Sequence, residues 1–375
     1  MSEKDLQSIT DRLLQRAAPG RAEFEDIVVV PVLAVLVAII LGGLIMLATG
    51  VSPANIGKAF VALFNGSFGS LNAVSETLTA AAPLTLAGLG IAIAFRAGLF
   101  NIGAEGQVIV GGVAAVVVGF SFAGMPPIIH VPLALLAGAV AGALWASIAG
   151  WLRAATGAHE VIITIMLNLI AMRLLDYLLR NPPIQKEGRA DPISKNVLPS
   201  AELPHLFDWL DPLLRVHAGI FVVMLAVIFI WWLLFRSTIG FEFRAAGLNP
   251  EAARYAGMRS GLIIVLVMAL AGALAGLAGA NQVLGVLGRV SPNFSGGVGF
   301  DAIAVALLGR SHPVGVLLAG LLFGALQAGG RQMQVDAGVS LDVIAIIQAL
   351  IIIFIAAPML MRGVFSFAFA KQSKR

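Results

Sequence analysis

Polar side chains crowd into one short segment between two long apolar stretches. In FRAGLFNIGAEGQ, residues 95–107, Asn101, Glu105 and Gln107 could bind a hydrogen-bonding solute, and three glycines lie among them. Glycines permit the broken backbone that transporters place at membrane depth, where freed amides and side chains can serve as ligands. An ordinary cytoplasmic turn explains the same composition equally well, so both interpretations stay open. We treat these three residues as candidate pathway residues.

A second polar pair lies in the apolar stretch TGAHEVIITIMLNLIAMRLLDY, where Thr164 and Asn168 are four residues apart. That spacing places both side chains on one face of a helix. The face either lines a solute pathway or hydrogen-bonds to a neighbouring helix, a common use of Thr and Asn in membranes. The packing role is slightly favoured, and the pathway role is kept as a candidate.

A third candidate is Asp301, which follows the glycine-rich start of NFSGGVGFDAIAVALLGR, residues 293–310. A carboxylate at the start of a short apolar run predicts a helix N-cap, the favoured interpretation. The same carboxylate could also lie at the mouth of a solute path.

The segment RSTIGFEFRAAGLNPEAARYAGMRS, residues 236–260, carries four arginines. Asn249-Pro250 predicts a turn followed by a helix start, and Gly257 can end that helix. The pattern favours a short, exposed, basic helix on which a partner docks. The alternative is a solvated loop.

Several classes of site are excluded by the residues themselves. The chain has no cysteine, and Gly57-Lys58 is followed by Ala59, so no phosphate-binding loop of the G-x-x-x-x-G-K-[ST] type occurs. His159-Glu160 begins like a zinc-protease helix, but Ile163 stands where the second histidine belongs. We predict no enzyme activity, no metal site and no cofactor in this chain. The net charge of +4 is dispersed between apolar runs, which argues against nucleic acid.

The elements that must position these residues are membrane helices. The chain is 59% hydrophobic and only 12% charged, against about 25% charged in soluble domains. We predict an all-α polytopic membrane protein in a lipid bilayer, with about ten transmembrane segments. These lie near 27–48, 77–95, 107–124, 131–152, 160–180, 217–235, 261–281, 299–309, 313–329 and 342–360. The segment 299–309 is too short for an ordinary spanning helix and is expected to be tilted, broken or re-entrant.

The distribution of Lys and Arg predicts that both termini are cytoplasmic, because 15 of these residues then fall inside and 8 outside. We expect a cytoplasmic amphipathic head at 1–26, one transmembrane domain at 27–361 and a cytoplasmic tail at 362–375. Within the domain, we expect an external loop at 181–216 and a cytoplasmic loop at 236–260. Residues 50–75 are expected to form a short helix on the outer surface.

Four motifs, in this order, resemble the permeases of ABC importers in the ribose and branched-chain amino acid superfamily, nearest its nucleoside and simple-sugar branch. They are FRAGLFNIGAEGQ, TGAHEVIITIMLNLIA, FRAAGLNPEAARYAGM and GFDAIAVALLGR, and they lie between residues 95 and 310. The resemblance implies a multi-pass protein of the bacterial inner membrane that moves solute by alternating access. Within the branch, the long charged head and the FNIGAEGQ string favour nucleosides as substrates, and purine nucleosides are the first candidates among them.

The resemblance also implies partners. They are a cytoplasmic ABC ATPase that holds ATP and Mg²⁺, a second permease subunit, often a different chain, and a periplasmic or lipoprotein solute-binding protein. The residues assigned to the helix that contacts the ATPase are Arg244, Gly247, Asn249, Pro250, Glu251, Ala252, Ala253 and Gly257.

Three alternatives remain. One is a permease for ribose or another simple sugar. Another is an ion-coupled secondary transporter, for which only Glu105 and Asp301 could serve as an intramembrane carboxylate. The third is a membrane scaffold, which would leave the exposed basic helix without a role.

Overall fold

The computed structural model describes residues 30–356, so the predicted head at 1–26 and tail at 362–375 lie outside the described part of the chain. Within it the secondary structure is helical, without a β-strand. The thirteen α-helices are α1 Val30–Ala48, α2 Pro53–Phe68, α3 Leu71–Arg96, α4 Ala104–Ser121, α5 Pro127–Thr156, α6 Glu160–Leu179, α7 Gly219–Arg236, α8 Thr238–Leu248, α9 Pro250–Tyr255, α10 Ser260–Gln282, α11 Val298–Leu308, α12 Pro313–Ala337 and α13 Leu341–Ala356.

Seven of these helices are long and apolar enough to cross a membrane, namely α3, α4, α5, α6, α7, α10 and α12. Three further apolar helices, α1, α11 and α13, are shorter. Within residues 30–356, each of the ten predicted apolar segments therefore overlaps a helix. The number of true crossings stays a prediction.

The region between α1 and α3 differs from the expectation of one short helix within 50–75. Helix α2 ends at Phe68, and Ser70 then caps the start of α3 by accepting a hydrogen bond from the Ala73 amide at 3.1 Å. A serine in this position favours a new helix start, because its hydroxyl satisfies one of the unpaired first-turn amides. Residues 71–75 thus belong to α3.

The described chain divides into two compact units. One contains α1, the start of α2 up to Lys58, and the residues from Ala337 to the end of α13. In this unit α1 packs against α13, and a Cβ on Gly42 would lie 2.6 Å from Ile347 Cγ1. The other unit, Ala59–Asp336, contains all the candidate site residues.

Small residues bring three helices of the larger unit into backbone contact. A Cβ on Gly142 of α5 would lie 2.2 Å from the Gly272 carbonyl oxygen of α10, and one on Gly276 would lie 2.2 Å from the Gly138 oxygen. Helix α4 joins them where a Cβ on Gly111 would lie 2.3 Å from Gly276 Cα. Close approach of this kind is how glycine pairs spaced by four associate helices in membranes.

Candidate functional site

The chain between α3 and α4 is non-helical, and side chains hold it in place. Asn101 Oδ1 accepts a hydrogen bond from the Gly103 amide at 3.0 Å. The carboxamides of Asn101 and Gln107 also exchange two hydrogen bonds of 3.1 Å each. Both side chains are buried, so these hydrogen bonds satisfy polar groups of the non-helical segment that cannot bond to water.

Glu105 joins the starts of two helices. It lies in the first turn of α4 and is 1% exposed. Its Oε1 accepts a hydrogen bond from the Ser295 hydroxyl, and its Oε2 accepts one from the Gly299 amide at 2.8 Å. Gly299 lies in the first turn of α11, so one carboxylate stands at the positive ends of both helices.

This junction lies well inside the bundle. Gly111, seven residues into α4, contacts Gly276, sixteen residues into α10, and Gly119 faces Leu284, which lies just past the end of α10. With a rise of ~1.5 Å per residue, α4 begins about 14 Å past the start of α10. Helices α4 and α11 therefore both start part-way along a spanning helix, as discontinuous transporter helices do.

The non-helical residues that precede α11 obtain their backbone hydrogen bonds from the protein. The Val197 amide donates to the Gly288 oxygen at 2.8 Å, and the Ser194 amide donates to the Val290 oxygen at 2.9 Å. Gln282 Nε2 donates to the Phe294 oxygen at 3.0 Å. Irregular backbone within a membrane requires this kind of internal satisfaction.

Asn168 ties α6 to the broken segment. Its Oδ1 accepts from the Gly106 amide at 2.8 Å, and its Nδ2 donates to the Ile102 oxygen at 2.9 Å. Thr164, one turn earlier, donates to the Val161 oxygen of its own helix at 3.1 Å. Both side chains are buried. In this conformation Asn168 acts between helices, and a pathway role for the pair stays a prediction.

Asp301 is not the N-cap of α11, so that expectation is wrong. Gly297, with a φ of +81°, occupies the cap, and Asp301 is the fourth residue of the helix. Its Oδ2 accepts a hydrogen bond from Gln327 of α12 at 3.1 Å. A capping side chain is not needed at Gly297, because Glu105 accepts from the first turn of α11.

The structure therefore gathers Asn101, Glu105, Gln107 and Asn168 into one buried polar group, with Thr164 beside Gly103 at its edge. Ser295 belongs to this group although its type and spacing gave no sign of its partner. The glycine-rich stretch before a short apolar run was the available signal that its backbone is broken.

Glu160 anchors the same segment from the side of α6. Its Oε1 accepts from the Phe100 amide at 3.2 Å, and its Oε2 forms an ion pair with Arg153 of α5. Sequence reasoning considered Glu160 only as part of a metal motif. Its role in the structure is to hold the turn between α3 and α4.

The loop 236–260 contains two helices, α8 and α9. Asn249 ends α8 and caps α9, because its Oδ1 accepts from the Ala252 amide at 3.0 Å. The helix predicted to start at Pro250 is present, and Gly257 follows it with a φ of +86°. Asparagine and proline at the start and glycine past the end are the residues that favour such a short helix.

Two of the residues assigned to this helix lie in α8 instead. A Cβ on Gly247 would lie 2.2 Å from the Arg96 oxygen, so α8 packs against the turn that follows α3. The Arg244 guanidinium lies over the Phe235 ring at 5.5 Å. These contacts fix α8, and α8 in turn presents α9.

Helix α9 offers an exposed surface, and two large apolar side chains flank it, one at the end of α8 and one at the end of α9. Leu248 is 88% exposed and Tyr255 is 93% exposed, and neither was singled out from the sequence. Asn249, Pro250, Glu251, Ala252 and Gly257 are exposed as well, whereas Ala253 is buried. We call the exposed set from Leu248 to Gly257 the α9 surface.

The loop before α7 contains a buried histidine, His217, which is 2% exposed. Its Nδ1 accepts a hydrogen bond from the Gly219 amide at 3.2 Å. Burial, followed by the positive charges of His205 and Arg215, lowers the pKa of His217 to about 4. The imidazole is therefore neutral in the folded protein at neutral pH.

Over residues 73–356 the sequence matches the family described as the permease component of the branched-chain amino acid transport system. A guanosine ABC transporter permease protein of Bacillus subtilis is 44% identical, over 89% of this chain and 94% of the relative. A glucose ABC transporter permease protein of Haloferax volcanii is 40% identical, over 87% and 86%. A nucleoside ABC transporter permease protein of Lactococcus lactis is 36% identical, over 88% and 90%. No solved structure matches the chain.

Proposed function

The chain belongs to the family of permease components of the branched-chain amino acid transport system, and on that premise we propose that it carries nucleosides into the cell, with purine nucleosides as its preferred substrates. The observation that carries the proposal is the similarity, over nearly the whole chain, to permeases named for guanosine and for nucleosides. The glucose permease relative supports a second candidate, a sugar substrate, at a similar identity.

The α9 surface supports the proposal that a cytoplasmic ATPase docks there. Exposed Leu248 and Tyr255 would bury apolar area against a partner, while Arg254 offers a charge at the rim. Because α8 packs on the turn after α3, a push on α9 reaches that turn directly, and the turn leads into the Glu105 junction. ATP and Mg²⁺ would be bound by the ATPase.

In this mechanism the permease works by alternating access, with both termini cytoplasmic and the protein in the bacterial inner membrane. A second permease subunit, a different chain in our proposal, completes the pathway. A periplasmic or lipoprotein solute-binding protein delivers the solute to the outer side. Solute passage near Asn101, Glu105 and Gln107 requires the hydrogen bonds among these residues to open, which is a reason to expect motion at this junction.

An ion-coupled secondary transporter is the alternative from another class. Its two candidate carboxylates both accept hydrogen bonds in the fold. Glu105 accepts from Ser295 and Gly299, and Asp301 accepts from Gln327. Such contacts favour a structural role over a free proton carrier.

The decisive experiment measures uptake of labelled guanosine and labelled glucose by cells that express the complete transporter. We expect guanosine uptake that stops when ATP is depleted. Uptake that persists without ATP and follows a proton gradient would contradict the importer proposal, and uptake of glucose alone would select the second candidate.

The docking proposal has its own test in purification of the assembled transporter. We expect Leu248→Asp with Tyr255→Asp to reduce the copurified ATPase at least tenfold, because two charges replace the exposed apolar contacts. The matched control is Trp209→Asp, which alters an equally prominent aromatic, 81% exposed, in the external loop. Full retention of the ATPase by the double variant would show that the α9 surface is not the docking site.

A further inference from the structure

A cavity of about 630 Å³ lies in the larger unit, between the end of α2, the start of α3 and the end of α12. Its volume falls within the range of about 300–1,000 Å³ that is usual for small-molecule sites. The polar residues that line it are Asn65, Ser70, Asn72, Glu76, Arg331, Gln332 and Asp336. In the proposed topology these helix ends face outward, on the side from which solute arrives.

The walls of the cavity are fixed by contacts between the three helices. Ser67 donates a hydrogen bond to the Ala325 oxygen of α12 at 2.6 Å, and Thr77 of α3 donates to the Ser67 oxygen at 2.9 Å. A Cβ on Gly66 would lie 2.4 Å from Gln332 Cβ. The cavity is therefore preformed rather than a gap between loosely placed helices.

The charges at the cavity balance one another. Glu76 accepts hydrogen bonds from Arg215 at 3.3 Å and from Arg331 at 3.1 Å. Asp336 accepts one from Gln332 at 2.9 Å. Arg215 does not line the cavity but pairs with Glu76 from beside it, so the four groups together carry no net charge and the cavity offers no excess positive charge to a bound phosphate.

Two carboxamides in the cavity are available to a ligand. Asn65 and Asn72 are exposed, and their side chains make no hydrogen bond to another residue in the range 30–356. Each carboxamide presents two donors and an acceptor side by side. This arrangement matches the paired donor and acceptor groups on the edge of a heterocyclic base, as amide side chains use it to read bases elsewhere.

We infer that this cavity is a binding site for a neutral, hydrogen-bonding solute of the nucleoside class, occupied on the outer side before passage. The inference rests on the proposed function and adds a place of binding and a basis for selecting against nucleotides. Asn65 and Asn72 contact the base, and the balanced charges give no compensation for a bound phosphate.

The test uses the complete transporter and measures the concentration dependence of guanosine uptake. Asn65→Leu and Asn72→Leu should each raise KM about 3- to 10-fold with little change in the maximal rate, because each removes hydrogen bonds to a neutral ligand. Asn55→Leu is the matched control, since Asn55 is an exposed asparagine in α2 outside the cavity and should leave KM unchanged.

A charge variant tests selectivity in the same assay. Asp336→Asn gives the cavity one net positive charge and should make guanosine 5′-monophosphate a competitor of guanosine uptake, with an inhibition constant at least 5-fold lower than for wild type. The control is Asp342→Asn, an exposed acid that lies outside the cavity.

The outcomes separate the two proposals. If wild type takes up no nucleoside, the proposed function fails and this inference fails with it. If wild type takes up guanosine while both Asn variants keep the wild-type KM, the inference alone is overturned. Loss of the second permease subunit from the purified assembly of the Asn variants would assign the cavity to a subunit interface and would also overturn the inference.

Discussion

Two substitutions of Glu105 remove different parts of the same interaction, and their effects on stability can therefore be predicted and compared. Glu105→Ala leaves the Ser295 hydroxyl and the Gly299 amide without their acceptor in a buried site. Each unsatisfied buried group costs about 1–3 kcal/mol, so we expect a loss of about 2–6 kcal/mol in the free energy of unfolding.

Glu105→Gln should cost much less. The glutamine oxygen can still accept from the Gly299 amide, and its NH₂ group can donate to the Ser295 hydroxyl. This variant loses only the attraction between a negative charge and the positive ends of α4 and α11, which contributes about 0.5–2 kcal/mol to the free energy of unfolding. The alanine variant should therefore be less stable than the glutamine variant by about 1.5–4 kcal/mol.

Thermal unfolding of the purified protein in detergent measures this difference. At about 2 °C per kcal/mol for a chain of this size, Glu105→Ala should lower Tm by about 4–12 °C and Glu105→Gln by about 1–4 °C. Glu202→Ala, at an exposed position in the loop 181–216, is the control and should leave Tm unchanged within about 1 °C. Equal shifts for the two Glu105 variants, or shifts as small as the control, would refute the role given to this carboxylate.

Two further predictions concern packing and pH. Gly276→Leu should abolish folding, because even a Cβ at this position would lie 2.2 Å from the Gly138 oxygen. The control is Gly261→Ala, whose nearest added contact would be at 3.7 Å and which should give the wild-type yield on size-exclusion chromatography. A monodisperse Gly276→Leu protein would contradict the packing described for these helices. Because the folded pKa of His217 is about 4 and its ordinary value is 6.5, stability is fully present above pH 6.5 and falls by about 2 kcal/mol as the pH drops to 5. The fall in Tm should disappear in His217→Asn and persist in His159→Asn, and an unchanged pH profile in the former would exclude His217 as its cause.

The helices were predictable from the sequence because each depends on its own apolar stretch. The positions of ten apolar segments, the short helix at Pro250 and the break near Asn101 all follow from local residue patterns. The partners of Glu105 were not predictable, because Ser295 lies 190 positions later and no spacing rule connects them. The N-cap expectation for Asp301 failed for the same reason, since a distant carboxylate supplies what a local cap would have supplied.

The cavity shows the same limit. Asn65 and Asn72 lie in a stretch whose intermediate polarity indicated only a surface helix. Their arrangement around a preformed space depends on Gln332 and Arg331, which α12 brings into place from far along the chain. Helix α9 lies at the other extreme, because its capping residues Asn249 and Gly257 are close to each other in the sequence. The sequence therefore predicted the short exposed helix, whereas the cavity depends on residues that are far apart in the sequence.

The shortness of α11 has a consequence for how the protein is built during synthesis. Its 11 residues extend for ~16 Å, while a helix that inserts into the bilayer by itself needs ~20 residues. The preceding stretch satisfies its backbone through Ser194 and Val197, and the first turn of α11 is met by Glu105. These groups are all synthesised earlier. The start of α11 therefore depends on the correct assembly of the chain before it, whereas Asp301 obtains its partner Gln327 only when α12 follows.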